Sequence, residues 1–337
     1  MSRLDAVSIR CAVGLTLSRR CILFSTWAVA LAAAPPRART FTIRYSTLVT
    51  NRPAAGRVVD LWLPVPRSDD HQRVSDLQVT APVVYRVGRG DHGNLALHLR
   101  VATSAAPDLR IVMRFQVRRQ EHRQERLTLA PIRDALSVRL EKYLRPDRLV
   151  PLDATIRSWA QDVVETAHAR TDLEQARAIY NHVIATVKYD KSGTGWGRGD
   201  LYYACEQRRG NCTDFHAIFI GYCRALGIPA RFAIGLPIPA DRASGAIDGY
   251  HCWAEFYAGG IGWVPVDASE AAKDPAKREY FFGTHDEHRV EFTTGRDLIL
   301  TPPQRGDPLN YFIYPYAEID GTPYDQVKTT ITFANAR

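Results

Sequence analysis

The sequence contains little cysteine and no apolar run long enough to span a membrane comfortably. Six cysteines in 337 residues do not make a disulfide scaffold. The main apolar run near the start, Cys21–Ala34, is shorter than a typical membrane-spanning helix. Internal repeats are also lacking. With 45% hydrophobic and 24% charged residues, the chain has the composition of a globular protein with a sizeable core.

A strong excess of one charge is also missing. The formal net charge is +8, but residues 1–37 hold five arginines against one aspartate, and this accounts for half of it. A nucleic-acid-binding protein needs a strongly basic face. We therefore expect no nucleic acid partner, while attraction to an anionic envelope polymer stays open.

The first forty residues differ from the rest of the chain. Arg19 and Arg20 precede the apolar run, which ends in the small residues Ala32–Ala34. This order is typical of a secretory signal, and Ser18-Arg19-Arg20 resembles a twin-arginine signal. We predict a signal peptide at residues 1–38 and a periplasmic or secreted bacterial protein. The alternative is a buried or amphipathic N-terminal helix.

Residues 39–125 show a pattern typical of strands. Apolar and polar residues alternate, and Pro and Gly separate the segments. The predicted strands are Phe41–Tyr45, Val58–Pro64, Leu95–Val101 and Leu109–Val117. Several short strands of this kind indicate a β-sandwich-like N-terminal domain, and we find no catalytic constellation in it.

Residues 126–337 are predicted to form a catalytic domain with a C-terminal β extension. Thr171-Asp172-Leu173-Glu174 is a capping box that begins one helix. A second helix is predicted to begin at Cys212 and end before Pro229. Three strands follow, at Ala230–Gly235, Tyr250–Tyr257 and Gly262–Asp267. A helix followed by an antiparallel sheet predicts an α+β fold.

Three residues in this second region have the chemistry of a thiol enzyme. Cys212 follows Gly210-Asn211 at a predicted helix start, where the helix dipole favours the reactive thiolate. His251 could transfer protons near neutral pH, and Asp267 could hold its tautomer. A glycine-rich turn at residues 259–262 would bring the last two together on a hairpin. We predict Cys212, His251 and Asp267 as catalytic residues.

Other residues offer weaker alternatives. His216 lies one helical turn after Cys212 and could be a second base, although a structural role is favoured. Cys252 is predicted to lie in the core. Cys205, Cys212 and His251 could bind zinc, but the seven-residue spacing of the cysteines is looser than in usual zinc sites. We predict no metal and no cofactor.

Four residues are candidates for binding substrate. Trp196 lies among four glycines in residues 190–200, which form either a surface loop or a loop that presents an aromatic ring near the thiol. Tyr203 or Gln207 could join the backbone amide of Cys212 as oxyanion donors. Trp253 is predicted to share the strand face of His251.

Residues 171–283 resemble the transglutaminase-like superfamily of papain-like thiol enzymes. The motifs are Gly-x-Cys-x-x-Phe at Gly210, Cys212 and Phe215; Cys223–Arg231; His-x-Trp-x-Glu at His251, Trp253 and Glu255; and Gly262–Asp267. The resemblance implies a Cys212 nucleophile, a His251 base and an orienting Asp267. Animal transglutaminases use calcium, but this sequence has no EF-hand loop, so no metal is transferred from the family.

These observations predict cleavage or transfer of an amide acyl group through a Cys212 thioester, with a peptide or protein amide as substrate. Hydrolysis is favoured, because an exported enzyme most often meets water. The alternatives are a cross-linking transglutaminase, in which an amine resolves the thioester, and a non-catalytic peptide-binding module of the envelope. The oligomeric state stays open.

Overall fold

The computed structural model describes residues 35–51, 56–103, 109–125, 127 and 138–336. The predicted signal peptide, residues 1–38, therefore lies almost wholly outside the described residues. Residues 36–337 belong to one compact unit. The predicted boundary between residues 125 and 126 stays a prediction.

The described residues form eighteen strands and six α-helices. In chain order the strands are β1 (Ala38–Val49), β2 (Val58–Val65), β3 (Gln72–Thr80), β4 (Tyr85–Arg89), β5 (Leu95–Ala102), β6 (Leu109–Gln120), β7 (His122–Arg123), β8 (Lys188–Tyr189), β9 (Arg209–Gly210), β10 (Ala230–Pro237), β11 (Ser244–Ala246), β12 (His251–Ala258), β13 (Gly262–Val266), β14 (Thr284–His285), β15 (Arg289–Thr294), β16 (Tyr316–Ile319), β17 (Thr322–Tyr324) and β18 (Val327–Asn335). The helices are α1 (Val138–Glu141), α2 (Ala154–Thr166), α3 (Asp172–Thr186), α4 (Leu201–Gln207), α5 (Cys212–Ala225) and α6 (Ala268–Lys273).

Two five-stranded sheets surround the first part of the core. Their orders are β11-β18-β1-β6-β3 and β17-β16-β2-β5-β4. Along β1, the alternating residues Phe41, Ile43 and Tyr45 are buried, as the period of two predicts. Both sheets contribute to one continuous core, which gives the predicted β-sandwich-like arrangement. Strands β16 and β18, from the end of the chain, complete these sheets.

A four-stranded antiparallel sheet, ordered β13-β12-β10-β15, supports α5. Every residue of α5 is buried, which explains why the helix has almost no polar face. Helices α2, α3 and α4 pack around it, and β12 lies along it. The α+β fold, with a cysteine-bearing helix on an antiparallel sheet, is confirmed.

Helix ends follow the expected capping chemistry. The Thr171 hydroxyl accepts the N–H of Glu174 at 3.2 Å, and the Glu174 carboxylate accepts the N–H of Thr171 at 2.9 Å. The predicted capping box therefore begins α3.

Helix α4 was not predicted, because its single apolar turn follows a glycine-rich segment. Among the described residues, no helix is long and apolar enough to cross a membrane.

Candidate active site

Cys212 is the first residue of α5 and is 1% exposed. The Asn211 side chain accepts the N–H of Thr213 at 2.9 Å, and the N–H of Asn211 donates to Asp214 Oδ2 at 2.9 Å. This reciprocal cap satisfies amides that have no partner within the helix. The thiol thus lies at the positive end of the helix dipole, where a thiolate is favoured.

Asp214 also holds the glycine-rich loop, residues 190–200, against the helix start. Its carboxylate accepts the N–H of Gly197 at 2.7 Å and that of Gly199 at 3.0 Å. The carboxylate packs so tightly against Gly210 that an added Cβ there would lie 2.2 Å from Asp214 Oδ2. Gly210 is therefore required for the approach of this anchor.

His251 and Asp267 meet as the predicted hairpin requires. His251 begins β12, Asp267 follows β13, and His251 Nε2 lies 2.7 Å from Asp267 Oδ2. The other oxygen, Asp267 Oδ1, accepts the Ser269 hydroxyl at 3.0 Å and the N–H of Glu270 at 3.1 Å. The carboxylate thus caps α6 and orients the imidazole through separate oxygens, leaving His251 Nδ1 for the thiol.

Cys212, His251 and Asp267, here named the Cys212 cluster, change one another's pKa values. Burial acts to raise the pKa of Cys212, but hydrogen bonds with Cys252 and His251 and the charge on His251 hold it well below its usual range. Burial acts to lower the pKa of His251, yet the Asp267 charge raises it to about 10. Both shifts favour the thiolate–imidazolium pair at neutral pH.

Arg289 is a residue of this site that the sequence did not reveal. Its Nη1 donates to Asp267 Oδ2 at 3.0 Å, its Nε donates to Asp286 Oδ1 at 3.1 Å, and its guanidinium lies 4.9 Å from the centre of the Trp253 ring. Burial acts to raise the pKa of Asp267, but the charges on His251 and Arg289 keep it well below its usual range. The sequence feature that could have revealed Arg289 is its position as a charged residue at the start of the buried strand β15.

His216 and Cys252 surround the cluster from the helix and the sheet. His216 Nε2 accepts the N–H of Ala268 at 3.2 Å, while its Nδ1 lies 3.8 Å from Cys252 Sγ. Because one ring nitrogen is occupied by a backbone amide, this imidazole links α5 to α6, in keeping with a structural role. Cys252 is buried, as expected of a core residue, and its thiol also hydrogen-bonds to Cys212.

Trp196 and Tyr203 belong to the glycine-rich loop and its support. Trp196 Nε1 donates to Gly193 O at 3.1 Å. The Tyr203 hydroxyl donates to Thr194 O at 3.2 Å, and the Tyr203 ring packs under Gly195, where a Cβ would lie 2.6 Å from Tyr203 Cε2. Tyr203 thus supports the loop, and half-buried Trp196 lies on the loop that Asp214 anchors beside Cys212.

Gln207 and Trp253 occupy contrasting positions. Gln207 is exposed at the last residue of α4. Trp253 is 0% exposed, and its ring lies 6.0 Å from that of His251. Trp253 therefore packs behind the imidazole and offers no surface to a substrate in this conformation. Their predicted substrate contacts stay predictions.

The structure separates the three residues considered as zinc ligands. Cys205 Sγ lies 3.4 Å from the Tyr222 hydroxyl, and Tyr222 is near the opposite end of α5 from Cys212. The rise along a helix places Cys212 and Tyr222 about 15 Å apart. Cys205, Cys212 and His251 are thus not brought together. A cavity of about 750 Å³ lies beside Cys205 and Tyr222, away from the Cys212 cluster.

The cysteine-bearing helix, the antiparallel sheet and the paired His251 and Asp267 define a papain-like cysteine enzyme. Residues 157–268 match the model of the Transglutaminase-like superfamily, and all three residues of the cluster lie within this segment. Residues 157–268 are therefore a transglutaminase-like domain of this chain.

Relatives are similar over most of the chain. An uncharacterized protein of Haemophilus influenzae is 27% identical over 321 residues, which cover 84% of this chain and 86% of that one. The crystal structure of a candidate cysteine protease from Cytophaga hutchinsonii is 19% identical, with a TM-score of 0.61, covering 89% and 92% of the two chains. This similarity shows a shared fold.

The periplasmic domain of TgpA from Pseudomonas aeruginosa is more distant. It is 13% identical with a TM-score of 0.37, covering 74% of this chain and 97% of that one. A likeness of this size supports no conclusion about function.

Proposed function

We propose that the protein is a thiol amidase or peptidase that cleaves amide bonds through an acyl-enzyme thioester on Cys212. The observation that carries this proposal is the buried contact of the Cys212 thiol with His251, whose ring is held 2.7 Å from Asp267. A low-pKa thiol beside a protonated imidazole is the ground state required for thiol attack on a carbonyl.

The proposed reaction uses each residue of the Cys212 cluster in turn. The Cys212 thiolate attacks the amide carbonyl, and the backbone N–H of Cys212, at the first position of α5, stabilises the resulting oxyanion. His251 then donates its proton to the leaving amine, and the C–N bond breaks. Water, deprotonated by the now neutral His251, attacks the thioester and releases the acid. Asp267 keeps the imidazole oriented throughout.

The proposed substrate is a peptide or protein amide that reaches the helix start along the glycine-rich loop. Two observations support this route. The loop is anchored by Asp214, two residues from the nucleophile, and it carries a half-buried indole at Trp196. An aromatic side chain on a tethered loop can pack against an extended chain. We further propose that the protein acts in the cell envelope, after export directed by residues 1–38.

Labelling with iodoacetamide at pH 6 tests the nucleophile. We expect Cys212 to react, because its pKa is held low by its hydrogen-bond partners. Cys205 should not react, because burial raises its pKa to about 11. Mass spectrometry of wild type, Cys212→Ala and the matched control Cys205→Ala identifies the labelled thiol. Labelling and turnover that survive in Cys212→Ala would overturn the proposal.

Incubation with a library of peptide amides tests the reaction. Release of ammonia or a peptide amine by wild type and Cys205→Ala, but not by Cys212→Ala, is the expected result. Adding a fluorescent primary amine distinguishes hydrolysis from cross-linking. Incorporation of the amine in preference to hydrolysis would contradict the proposed role of water and indicate a transglutaminase.

A further inference from the structure

A second cluster of ligand-forming side chains lies apart from Cys212. It consists of His122 on β7, Glu255 on β12 and His285 on β14, and is here named the Glu255 cluster. Strands β7 and β14 are antiparallel, and His285 is the direct partner of His122, so both imidazoles project from the same face. One donor atom from each of the three residues lies within 4.8 Å of the others.

His285 is the least satisfied member of the cluster. It is 0% exposed, and neither Nδ1 nor Nε2 has a hydrogen-bond partner among the described residues. Buried polar groups nearly always have a partner, because leaving one without a partner costs about 1–3 kcal/mol. A metal ion bound at one ring nitrogen would give this buried imidazole a partner that it lacks.

Glu255 directs one carboxylate oxygen toward the histidines. Its Oε2 forms an ion pair with Arg231. Its Oε1 lies 3.5 Å from His122 Nδ1, which is long for a hydrogen bond. A cation can therefore take the place between Oε1 and the imidazoles.

We propose that His122, Glu255 and His285 form a binding site for a divalent first-row transition metal ion, with Zn²⁺ as the expected occupant. Two imidazoles and one carboxylate are a common ligand set for such ions. Ligand atoms around a tetrahedral zinc ion are separated by about 3.4 Å. The donors lie within 4.8 Å of one another, so small side-chain rotations would bring them to that separation, with water as the fourth ligand.

The residues around the Glu255 cluster favour a structural role for the metal ion over a catalytic one. The His71 ring stacks on His122 with 3.7 Å between ring centres, which holds the His122 plane. His122 is 8% exposed and forms the edge through which an ion enters. A metal ion here would join β7 and β14 to β12. Because His251 begins the same strand, the ion would stabilise the sheet that carries the Cys212 cluster.

Equilibrium dialysis of the metal-stripped full chain against ZnCl₂, with elemental analysis, tests the site. We expect one zinc ion per chain and a raised melting temperature. His122→Phe and His285→Phe should each weaken binding by at least about 100-fold, since losing a ligand costs more than losing an outer partner. His182→Phe, at a half-buried histidine stacked on Tyr222, is the matched control and should bind as wild type does.

Cobalt(II) loading identifies the ligands independently of activity. A site of imidazole and carboxylate gives weak visible bands without the strong near-ultraviolet band of a cobalt–thiolate bond, and Cys212→Ala should leave the spectrum unchanged. A thiolate band, or zinc binding lost in Cys212→Ala, would overturn the site. Unchanged binding in His122→Phe would do the same. That variant is decisive if His285→Phe fails to fold, because His122 lies nearer the surface.

Discussion

Strand β12 contributes one residue to each of two buried clusters, His251 to the Cys212 cluster and Glu255 to the Glu255 cluster. In the Cys212 cluster, both oxygens of Asp267 have partners: Oδ2 contacts His251 and Arg289, and Oδ1 accepts the Ser269 hydroxyl. In the Glu255 cluster, neither ring nitrogen of His285 has a hydrogen-bond partner within the described part of the chain. Charged groups that are paired within the protein hold a reactive group in position. Ring nitrogens and carboxylate oxygens that lack such partners can instead bind a cation from outside the protein.

The two clusters share a buried ion pair but differ in their reactive groups. Both clusters hold an ionised carboxylate against an arginine, Asp267 with Arg289 and Glu255 with Arg231. Only the first cluster has a thiol and a helix N-terminus. We therefore expect substitutions in the two clusters to affect different measurements, and the following predictions run from the largest expected effect to the smallest.

Replacing His251 should have the largest effect. His251→Ala removes both the proton donor and the positive charge that stabilises the Cys212 thiolate. We expect hydrolysis of a peptide amide to fall by at least about 10³-fold, with much slower iodoacetamide labelling at pH 6. His122→Ala, in the other cluster, should leave both rates within a few-fold of wild type. Equal losses in the two variants would erase the proposed distinction.

The two carboxylates should separate in the same way. Asp267→Asn keeps the size of the side chain but loses the charge that raises the pKa of His251, so turnover should fall by about 10²–10⁴-fold. Glu255→Gln should lower the free energy of unfolding, because Arg231 loses its partner, while turnover of the folded fraction persists. Steady-state rates and urea unfolding of both variants check this. Full activity in Asp267→Asn would contradict the assigned role.

Arg289 should contribute mainly to stability. Arg289→Met leaves the buried Asp267 with one charged partner fewer, and removing a partner from a buried ion pair costs about 3–5 kcal/mol. Arg296→Met is the matched control, because that buried guanidinium bonds neutral groups, Asn310 and the Gly199 carbonyl, at about 1–3 kcal/mol. Urea unfolding measures both, and a larger loss for Arg296→Met would contradict the argument.

The pH dependence gives a finer test. Because the pKa of His251 is raised to about 10, the stabilisation that its proton provides is complete below pH 6.5 and is lost as pH rises through about 10. Turnover should fall over the same range, since the leaving amine then lacks its proton donor. The rate of iodoacetamide labelling against pH should show thiolate well below the usual range of a thiol. Turnover that rises steadily above pH 10 would contradict the ion pair.

Cys252 should have the smallest effect on this profile. Cys252→Ala removes a hydrogen-bond donor to the thiolate, which should slow labelling at pH 6 by about tenfold, as expected for one hydrogen bond to a charged group. Cys223→Ala, a buried thiol further along α5, is the control and should leave labelling unchanged. Equal labelling rates in the two variants would show that the helix start and His251 are enough to lower the pKa of Cys212.

Local patterns in the sequence predicted much of the structure. The Gly210-Asn211 break marked the start of α5, Thr171 and Glu174 marked the start of α3, and the glycines at 259–262 marked the turn between β12 and β13. Each depends on residues a few positions apart, so capping and turn chemistry is readable without the fold. The prediction that Cys212, His251 and Asp267 meet followed from these local elements.

Long-range pairing could not be read in this way. Strand β18 pairs with β1 and β16 pairs with β2, although almost the whole chain separates them. Arg289 reaches Asp267 only because β15 lies beside β10 in the four-stranded sheet. Periodicity predicts a strand but not its neighbour, because the neighbour is chosen by the packing of the whole core.

The sequence by itself therefore determined the position of the candidate nucleophile at a helix start and the hairpin with its histidine and aspartate, because short-range backbone chemistry governs these features. Only the tertiary structure decided that Arg289 would join the aspartate and that His122, Glu255 and His285 would meet. These contacts join strands far apart in the chain, and the burial they share sets the charge of each group.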